Sequence, residues 1–122
     1  MKKIQLGFTL IELVVVIIIL GLLAAIVVPK FIDISGNAKT SATNSIAASL
    51  SAANSLNYTA RKVNSAKGIA IGNCTDAASA LQGGLPTGYT ITSLAAAVDT
   101  TVLCTLNGPG ATTATFNATG IL

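Results

Sequence analysis

The N-terminal part of the chain carries a continuous apolar run. Residues 8–28 comprise 21 positions, and the members that are neither aliphatic nor aromatic are Thr9, Glu12 and Gly21. As an α-helix that rises about 1.5 Å per residue, this run would be roughly 31 Å long, which matches the hydrocarbon thickness of a bilayer. The pattern therefore predicts a membrane-spanning helix near the start of the chain.

After Pro29 the pattern becomes periodic, with apolar positions three or four residues apart. This spacing is typical of an amphipathic helix with one apolar face. The predicted stripe consists of Phe31, Ile34, Ala38, Ala42, Ile46, Leu50, Ala53, Leu56, Ala60 and Val63. The triplet Ser35-Gly36-Asn37 is a candidate bend or break, and Gly68 and Gly72-Asn73 mark the latest end of the helix. Together with the apolar run, this helix would form one long spine.

Beyond Gly72 the signals are short and mixed. Thr75 is predicted to cap a brief helix that ends before Gly83-Gly84. Alternating or β-branched residues predict strands over 89–93, 100–106 and 112–117, and residues 107–110 would connect the last two as a hairpin. The expected fold class is α+β, with a small antiparallel sheet of about three strands packed on the second half of the spine.

Two cysteines, Cys74 and Cys104, lie 30 positions apart outside the apolar run. In an exported domain such a pair predicts a disulfide, and a buried reduced pair is the alternative. The bond would tie the helix-to-sheet connection to the middle strand, and loop-closure entropy gives it about 3–4 kcal/mol. A metal site is not expected, because the sequence has no His and no third Cys.

The charged residues exclude several classes of function. There are seven basic and four acidic side chains, and two of the lysines, Lys2 and Lys3, precede the apolar run. The other cations form no dense patch with interleaved aromatics, so the chain alone is not predicted to bind nucleic acid. Without His, and with Asp33, Asp76 and Asp99 in unrelated contexts, no acid–base pair can be assembled. We therefore expect neither an enzyme nor a cofactor.

The carboxylate of Glu12 bears on whether the N-terminal segment is a cleaved secretory signal or an ordinary membrane anchor. A cleaved secretory signal would have a shorter apolar region and a small-residue cleavage site after it. An ordinary membrane anchor explains the length, and its flanking lysines would place the N-terminus in the cytoplasm. It does not explain a carboxylate inside a spanning helix, which costs at least about 2.5–3.5 kcal/mol and requires a partner.

Residues 6–31 read LGFTLIELVVVIIILGLLAAIVVPKF. This string closely resembles the class III signal of type IV pilins. The resemblance implies that a prepilin peptidase cuts between Gly7 and Phe8 and methylates the new N-terminus. It also implies that Glu12 meets the Phe8 ammonium of a neighbouring subunit during assembly. Because Phe8 and Glu12 are four positions apart, a pair within one helix is the alternative. Gly21 and Pro29 match family positions that bracket a segment which unwinds partly in the filament; an ordinary kinked membrane helix is the alternative.

The expected organisation follows from these features. Residues 1–7 form the leader, 8–28 the transmembrane and polymerisation segment, 29–67 the amphipathic continuation of the spine, and 68–122 a small head with a short helix and about three strands. The continuation PKFI and the cysteine pair also resemble small pilins of the mannose-sensitive haemagglutinin type.

The resemblance implies a structural subunit of a type IV pilus. It would be stored in the inner membrane and polymerised with itself by the pilus assembly machinery into an extracellular fibre for adhesion, motility or related functions. One alternative is a minor pilin or pseudopilin of a type II secretion or DNA-uptake system. A membrane-anchored periplasmic binding module, which would need neither cleavage at Gly7 nor Glu12, is another.

Overall fold

The computed structural model describes residues 1–3 and 6–122, so two positions of the predicted leader, residues 4 and 5, lie outside the described residues. The chain divides into two compact units, Met1–Ser35 and Gly36–Leu122. The longest element is helix α1, Leu10–Val63. A 3₁₀ helix, Cys74–Asp76, precedes the short helix α2, Ala77–Ala80, and the strands are β1, Thr90–Ile91, β2, Thr101–Gly108, and β3, Thr112–Thr119. The α+β class is confirmed.

Helix α1 is more continuous than its sequence signals suggest, although it ends earlier than the predicted spine. It continues through Pro29, whose missing N–H leaves the Ala25 carbonyl without its helical donor, and through Ser35-Gly36-Asn37, so the candidate break is not used. It ends at Val63, before Gly68, because the Asn64 side chain accepts a hydrogen bond from the Ala66 N–H (2.9 Å) and so offers the backbone a turn in place of the helix.

The sheet contains three antiparallel strands in the order β1-β2-β3. Cys104 faces Phe116 across β2 and β3, and Leu106 faces Ala114. Side chains alternate between the two faces of a strand, so these residues lie on the core face while Leu103 and its partner Asn117 lie on the outer face. A 3₁₀ turn, Pro109–Ala111, joins β2 to β3 as the predicted hairpin, although the residues at positions 107 and 108 belong to β2 and not to the connection.

The hydrophobic core lies between α1, the segment around the 3₁₀ helix Cys74–Asp76, and the sheet. Its buried members are Ala47, Leu50, Cys74, Ala77, Cys104, Leu106, Phe116 and Ala118. Cys74 and Cys104 are joined by a disulfide, which links the 3₁₀ helix Cys74–Asp76 to the middle strand β2. The covalent bond therefore lies within the buried core.

The predicted apolar stripe of α1 is out of phase with its buried face. The buried residues of α1 are Thr43, Ala47, Leu50, Asn54 and Asn57. Leu50 is the one member of the predicted stripe among them, whereas the Leu56 and Val63 residues are 74% and 84% exposed. This part of the sequence-based prediction is wrong, and hydrogen bonds to polar residues on the buried face give the physical reason.

Two of these bonds come from the edge of β3. Asn54 Oδ1 accepts a hydrogen bond from the Thr119 N–H (2.7 Å), and Ser51 Oγ accepts one from the Asn117 N–H (3.1 Å). Buried or half-buried backbone N–H groups need acceptors, and the helix provides them through side chains. A leucine at position 54 would leave the Thr119 N–H without this partner.

Two further residues of the same face have similar roles. The Asn57 amide accepts a hydrogen bond from the Ile69 N–H (2.7 Å) and donates one to the Ile69 carbonyl (2.8 Å), as a neighbouring strand would. Thr43 Oγ1 lies 2.7 Å from Thr112 Oγ1. The buried face of α1 is therefore specified by amides and hydroxyls as well as by aliphatic side chains.

The short helical segment begins two residues earlier than predicted. Asn73, and not Thr75, is its N-cap: the Asn73 side chain accepts a hydrogen bond from the Thr75 N–H (3.1 Å). Asp76 Oδ2 accepts one from the Asn73 N–H (2.9 Å), which completes a capping box. The helix ends at Ala80, because Leu81 adopts an extended conformation before Gly83 is reached.

Candidate assembly segment

The first unit presents an apolar surface that the chain itself does not cover. Every residue of α1 from position 10 to position 35 is exposed, and the most apolar 18-residue window of the helix has a mean hydropathy of 3.2 with none of it buried. Within residues 1–3 and 6–122, α1 is the one helix long and apolar enough to cross a membrane. Its burial must come from outside the chain.

Thr9 and Glu12 form a capping box at the start of α1. Glu12 Oε2 accepts hydrogen bonds from the Thr9 N–H (2.8 Å) and from Thr9 Oγ1 (2.7 Å), while Thr9 Oγ1 accepts from the Glu12 N–H (3.3 Å). Because the first helical N–H groups have no partner inside the helix, this arrangement stabilises the N-terminal turn. Both bonds from Thr9 go to the same carboxylate oxygen.

The predicted processing and docking residues meet at one end of the helix. Phe8 and Glu12 line a shallow groove of about 340 Å³ with Ile11, Val15 and Val16. Leu6 and Gly7 line an adjoining depression of about 200 Å³ with Phe8 and Glu12. In this chain the Phe8 nitrogen is still bonded to Gly7, so the ammonium that would pair with a carboxylate is not yet present.

Gly21 and Pro29 both lie inside the continuous helix α1. A Cβ atom built on Gly21 meets nothing within 4 Å, so the packing of this chain does not require a glycine there. The unwinding role of the two residues stays a prediction about the assembled state.

Sequence reasoning missed the capping role of Thr9. The signal was available, since Thr-x-x-Glu directly before an apolar run is the sequence form of a capping box. In this structure the polar partner of Glu12 is therefore a residue of its own chain.

One ion pair stabilises the far end of α1. Asp99 accepts a hydrogen bond from the Tyr58 hydroxyl (2.9 Å) and pairs with Lys62, whose ammonium lies 5.4 Å from the centre of the Tyr58 ring. Lys62, and then Tyr58, hold the pKa of Asp99 below its ordinary value, and Asp99 raises the pKa of Lys62. Among the described residues no three His, Cys, Asp or Glu side chains gather into a metal-binding group.

A glycine before an apolar helix, a carboxylate in the first turn of that helix and a disulfide-linked α+β head agree with the resemblance of the sequence to prepilins. Residues 2–28 match the family model for the prokaryotic N-terminal methylation motif. The type IV narrow pilus major component PilA5 of Thermus thermophilus is 40% identical over 87 residues, which are 71% of this chain and 69% of that protein. No solved structure matches the chain. The chain belongs to the type IV pilin family.

Proposed function

We propose that this chain, as a member of the type IV pilin family, serves as a structural subunit of a pilus. It is cleaved between Gly7 and Phe8 by a prepilin peptidase, methylated on Phe8 and held in the inner membrane with its N-terminus in the cytoplasm. The assembly machinery then polymerises it into a surface fibre that serves adhesion or motility. It has no catalytic role and needs no cofactor.

The exposed apolar helix carries this proposal. Lipid covers residues 8–28 before assembly, and other copies of the same helix cover them afterwards. In both settings an unpaired Glu12 carboxylate is costly, so the incoming subunit is positioned where its Phe8 ammonium reaches that carboxylate. The groove that Phe8 and Glu12 share supports this role, because both residues line one exposed surface.

A change in the helix during assembly is part of the proposal. The Ala25 carbonyl has no helical donor because Pro29 lacks an N–H, and glycine weakens a helix by about 1 kcal/mol relative to alanine. Gly21 and Pro29 therefore mark the stretch of α1 that unwinds most easily when the subunit leaves the lipid.

The similar Thermus protein is named as a major component of its pilus, and this favours a major subunit over a minor pilin or pseudopilin. A major subunit would dominate the protein content of a sheared surface fraction. Quantitative mass spectrometry of that fraction separates the two roles.

Processing is tested by intact mass. The mature chain should begin at Phe8 and carry one N-terminal methyl group. Gly7→Val should leave the leader attached, because the peptidase must accommodate a branched side chain next to the cleaved bond. A Cβ atom at Gly7 meets nothing within 4 Å, so misfolding would not explain that result. The matched control is Gly21→Val, also unobstructed, which should be cleaved normally. A mature form that begins after residue 28 would contradict the proposal.

A further inference from the structure

The head unit has an apolar groove beside α1 that its own chain leaves open. The groove has a volume of about 550 Å³ and lies between α1 and the segment around α2. Its apolar walls include Ala53, Leu56, Ala60, Ile69 and Leu81. Leu56 is 74% exposed, and none of the lining residues is charged. We call this surface the Leu56 groove.

The head also has an exposed apolar loop, residues 94–98, in the connection between β1 and β2. Leu94 and Val98 are 48% and 49% exposed. The loop is held in a defined shape, because the Leu94 carbonyl accepts a hydrogen bond from the Cys74 N–H (2.8 Å) and the Ala96 N–H donates to the Gly72 carbonyl (2.9 Å). We call this segment the 94–98 loop.

The two surfaces lie on opposite flanks of α1. Successive residues of an α-helix are about 100° apart, so Leu56 and Tyr58 point in directions that differ by about 200°. Leu56 lines the groove, whereas Tyr58 bonds to Asp99, the residue that follows the 94–98 loop. Ala60 and Lys62 repeat the same opposition one turn later, since Ala60 lines the groove and Lys62 pairs with Asp99.

We propose that the Leu56 groove of one subunit receives the 94–98 loop of the next subunit in the filament. This inference rests on the proposed function, because it needs a polymer of this chain. A contact between two different surfaces of one chain repeats from copy to copy, and it builds an open helical array unless its rotation closes a ring. Burying an uncharged loop in an uncharged groove removes apolar area from water without desolvating a charge.

Cysteine cross-linking in filaments of the full chain tests the contact. Leu56→Cys combined with Val98→Cys should give a ladder of cross-linked subunits after mild oxidation, because each copy carries both halves of the contact. Leu56→Cys alone should give no dimer. The matched control joins Leu56→Cys with Leu103→Cys, which is 60% exposed on the outer face of the sheet, and should give at least tenfold less cross-linked product. Two single variants expressed together should stop at the dimer.

Each other outcome overturns the inference. A dimer from Leu56→Cys alone would mean that two copies of the groove face each other. A thiol at this position that reacts with maleimide in filaments as fast as in detergent would mean that the groove is empty. A protected thiol without a ladder would mean that another segment, a lipid or a different protein fills it. Wild-type cells without filaments would instead refute the proposed function, and the inference with it.

A second pair of variants covers the case in which added thiols disturb the native disulfide. Leu56→Glu and Val98→Lys should each lower filament yield at least tenfold, because each places a lone charge in an apolar contact. The two together should restore most of the yield, since the charges would then face each other. Failure of the double variant to exceed either single variant overturns the inference.

Discussion

The two units of the chain distribute apolar and polar residues in opposite ways along the same helix. In the first unit, α1 is almost wholly apolar and every one of its residues is exposed. In the second unit, the buried face of α1 includes Thr43, Asn54 and Asn57, while Leu56 is 74% exposed. Exposure is thus greatest where the helix is most apolar.

The difference teaches where each stretch of the helix finds its partner. The polar residues of the second unit are buried because strands and loops of the same chain supply matching N–H, C=O and hydroxyl groups. The apolar residues of the first unit have no such partner in the chain. Packing in the head is specified by hydrogen bonds as well as by aliphatic side chains, whereas the apolar surface of the first unit must be covered from outside the chain.

The largest effect on the contrast between the two units is expected from a substitution of Glu12. Glu12→Val should abolish surface filaments while cleavage and membrane insertion persist, because the Phe8 ammonium of a neighbour would then be buried unpaired, at about 3–5 kcal/mol. The matched control is Thr9→Val, which removes the hydroxyl that bonds to Glu12 in this chain but keeps the carboxylate. It should retain filaments. The measurement is filament yield relative to membrane-bound subunit.

Normal filaments from Glu12→Val would remove the docking role. Equal loss in both variants would show instead that Glu12 acts through the capping box alone.

The disulfide tests the claim that the head is held together within the chain. Replacing Cys74 and Cys104 by alanine should lower the free energy of unfolding of the head by about 3–4 kcal/mol, since the loop between them is no longer closed in the unfolded chain. Circular dichroism of the detergent-solubilised full chain during denaturant titration measures this. Insertion of the first unit should be unchanged, and a loss below about 1 kcal/mol would contradict the prediction.

The polar face of α1 is tested by a pair of alanine variants. Asn54→Ala should destabilise the head by about 1–3 kcal/mol because it leaves the Thr119 N–H without an acceptor. The lower end is expected, since the Asn54 amide nitrogen is itself buried without a hydrogen-bond partner among the described residues. Leu56→Ala is the control and should change stability by less than about 0.5 kcal/mol. The reverse ranking would contradict the comparison.

The smallest effect concerns the ion pair at the end of α1. The pKa of Asp99 is lowered in the folded chain. The ionised Asp99 therefore stabilises the fold above the ordinary pKa of 3.8, and this stabilisation is lost as the pH falls through the folded-state pKa. The pKa of Lys62 is raised, so the charged Lys62 stabilises the fold below pH 10.5, and this stabilisation is lost as the pH rises through the folded-state pKa. Asp99→Asn should therefore lower the melting temperature slightly at neutral pH, and this difference should shrink as the pH falls below 3.8.

Asparagine suits the positive φ of 59° at position 99, so the backbone does not confound this comparison. A difference in melting temperature that does not shrink as the pH falls below 3.8 would assign the effect to something other than the ion pair.

The sequence predicted elements well where local patterns decide them. The long apolar helix, three strands in antiparallel order and the position of Cys104 on the middle strand all follow from runs, alternation and turn residues. The buried face of α1 does not, because Asn54 is explained by a residue 65 positions away. The spacing of the apolar residues predicts the helical period correctly, but it assigns the buried face to the wrong side of the helix.

The candidate site shows the same division. The match over residues 2–28 is a local signal, and that range contains Gly7, Phe8 and Glu12, whose roles stay predictions. The capping box is an equally local signal. The sequence-based prediction omits it, because that prediction pairs Glu12 with Phe8 and not with Thr9. The Leu56 groove and the 94–98 loop depend on tertiary packing, so no local sequence pattern predicts them.

The hydrogen bonds from β3 to α1 have a consequence for a protein whose heads lie close together in a polymer. An exposed sheet edge is a template on which strands of other molecules add and aggregate. Here Ser51 and Asn54 occupy two N–H groups of that edge, and the opposite edge of the sheet is β1, only two residues long. The N–H groups of Asn117 and Thr119 are thus not free to pair with another strand. Their occupation disfavours edge-to-edge association between heads that a polymer brings close together.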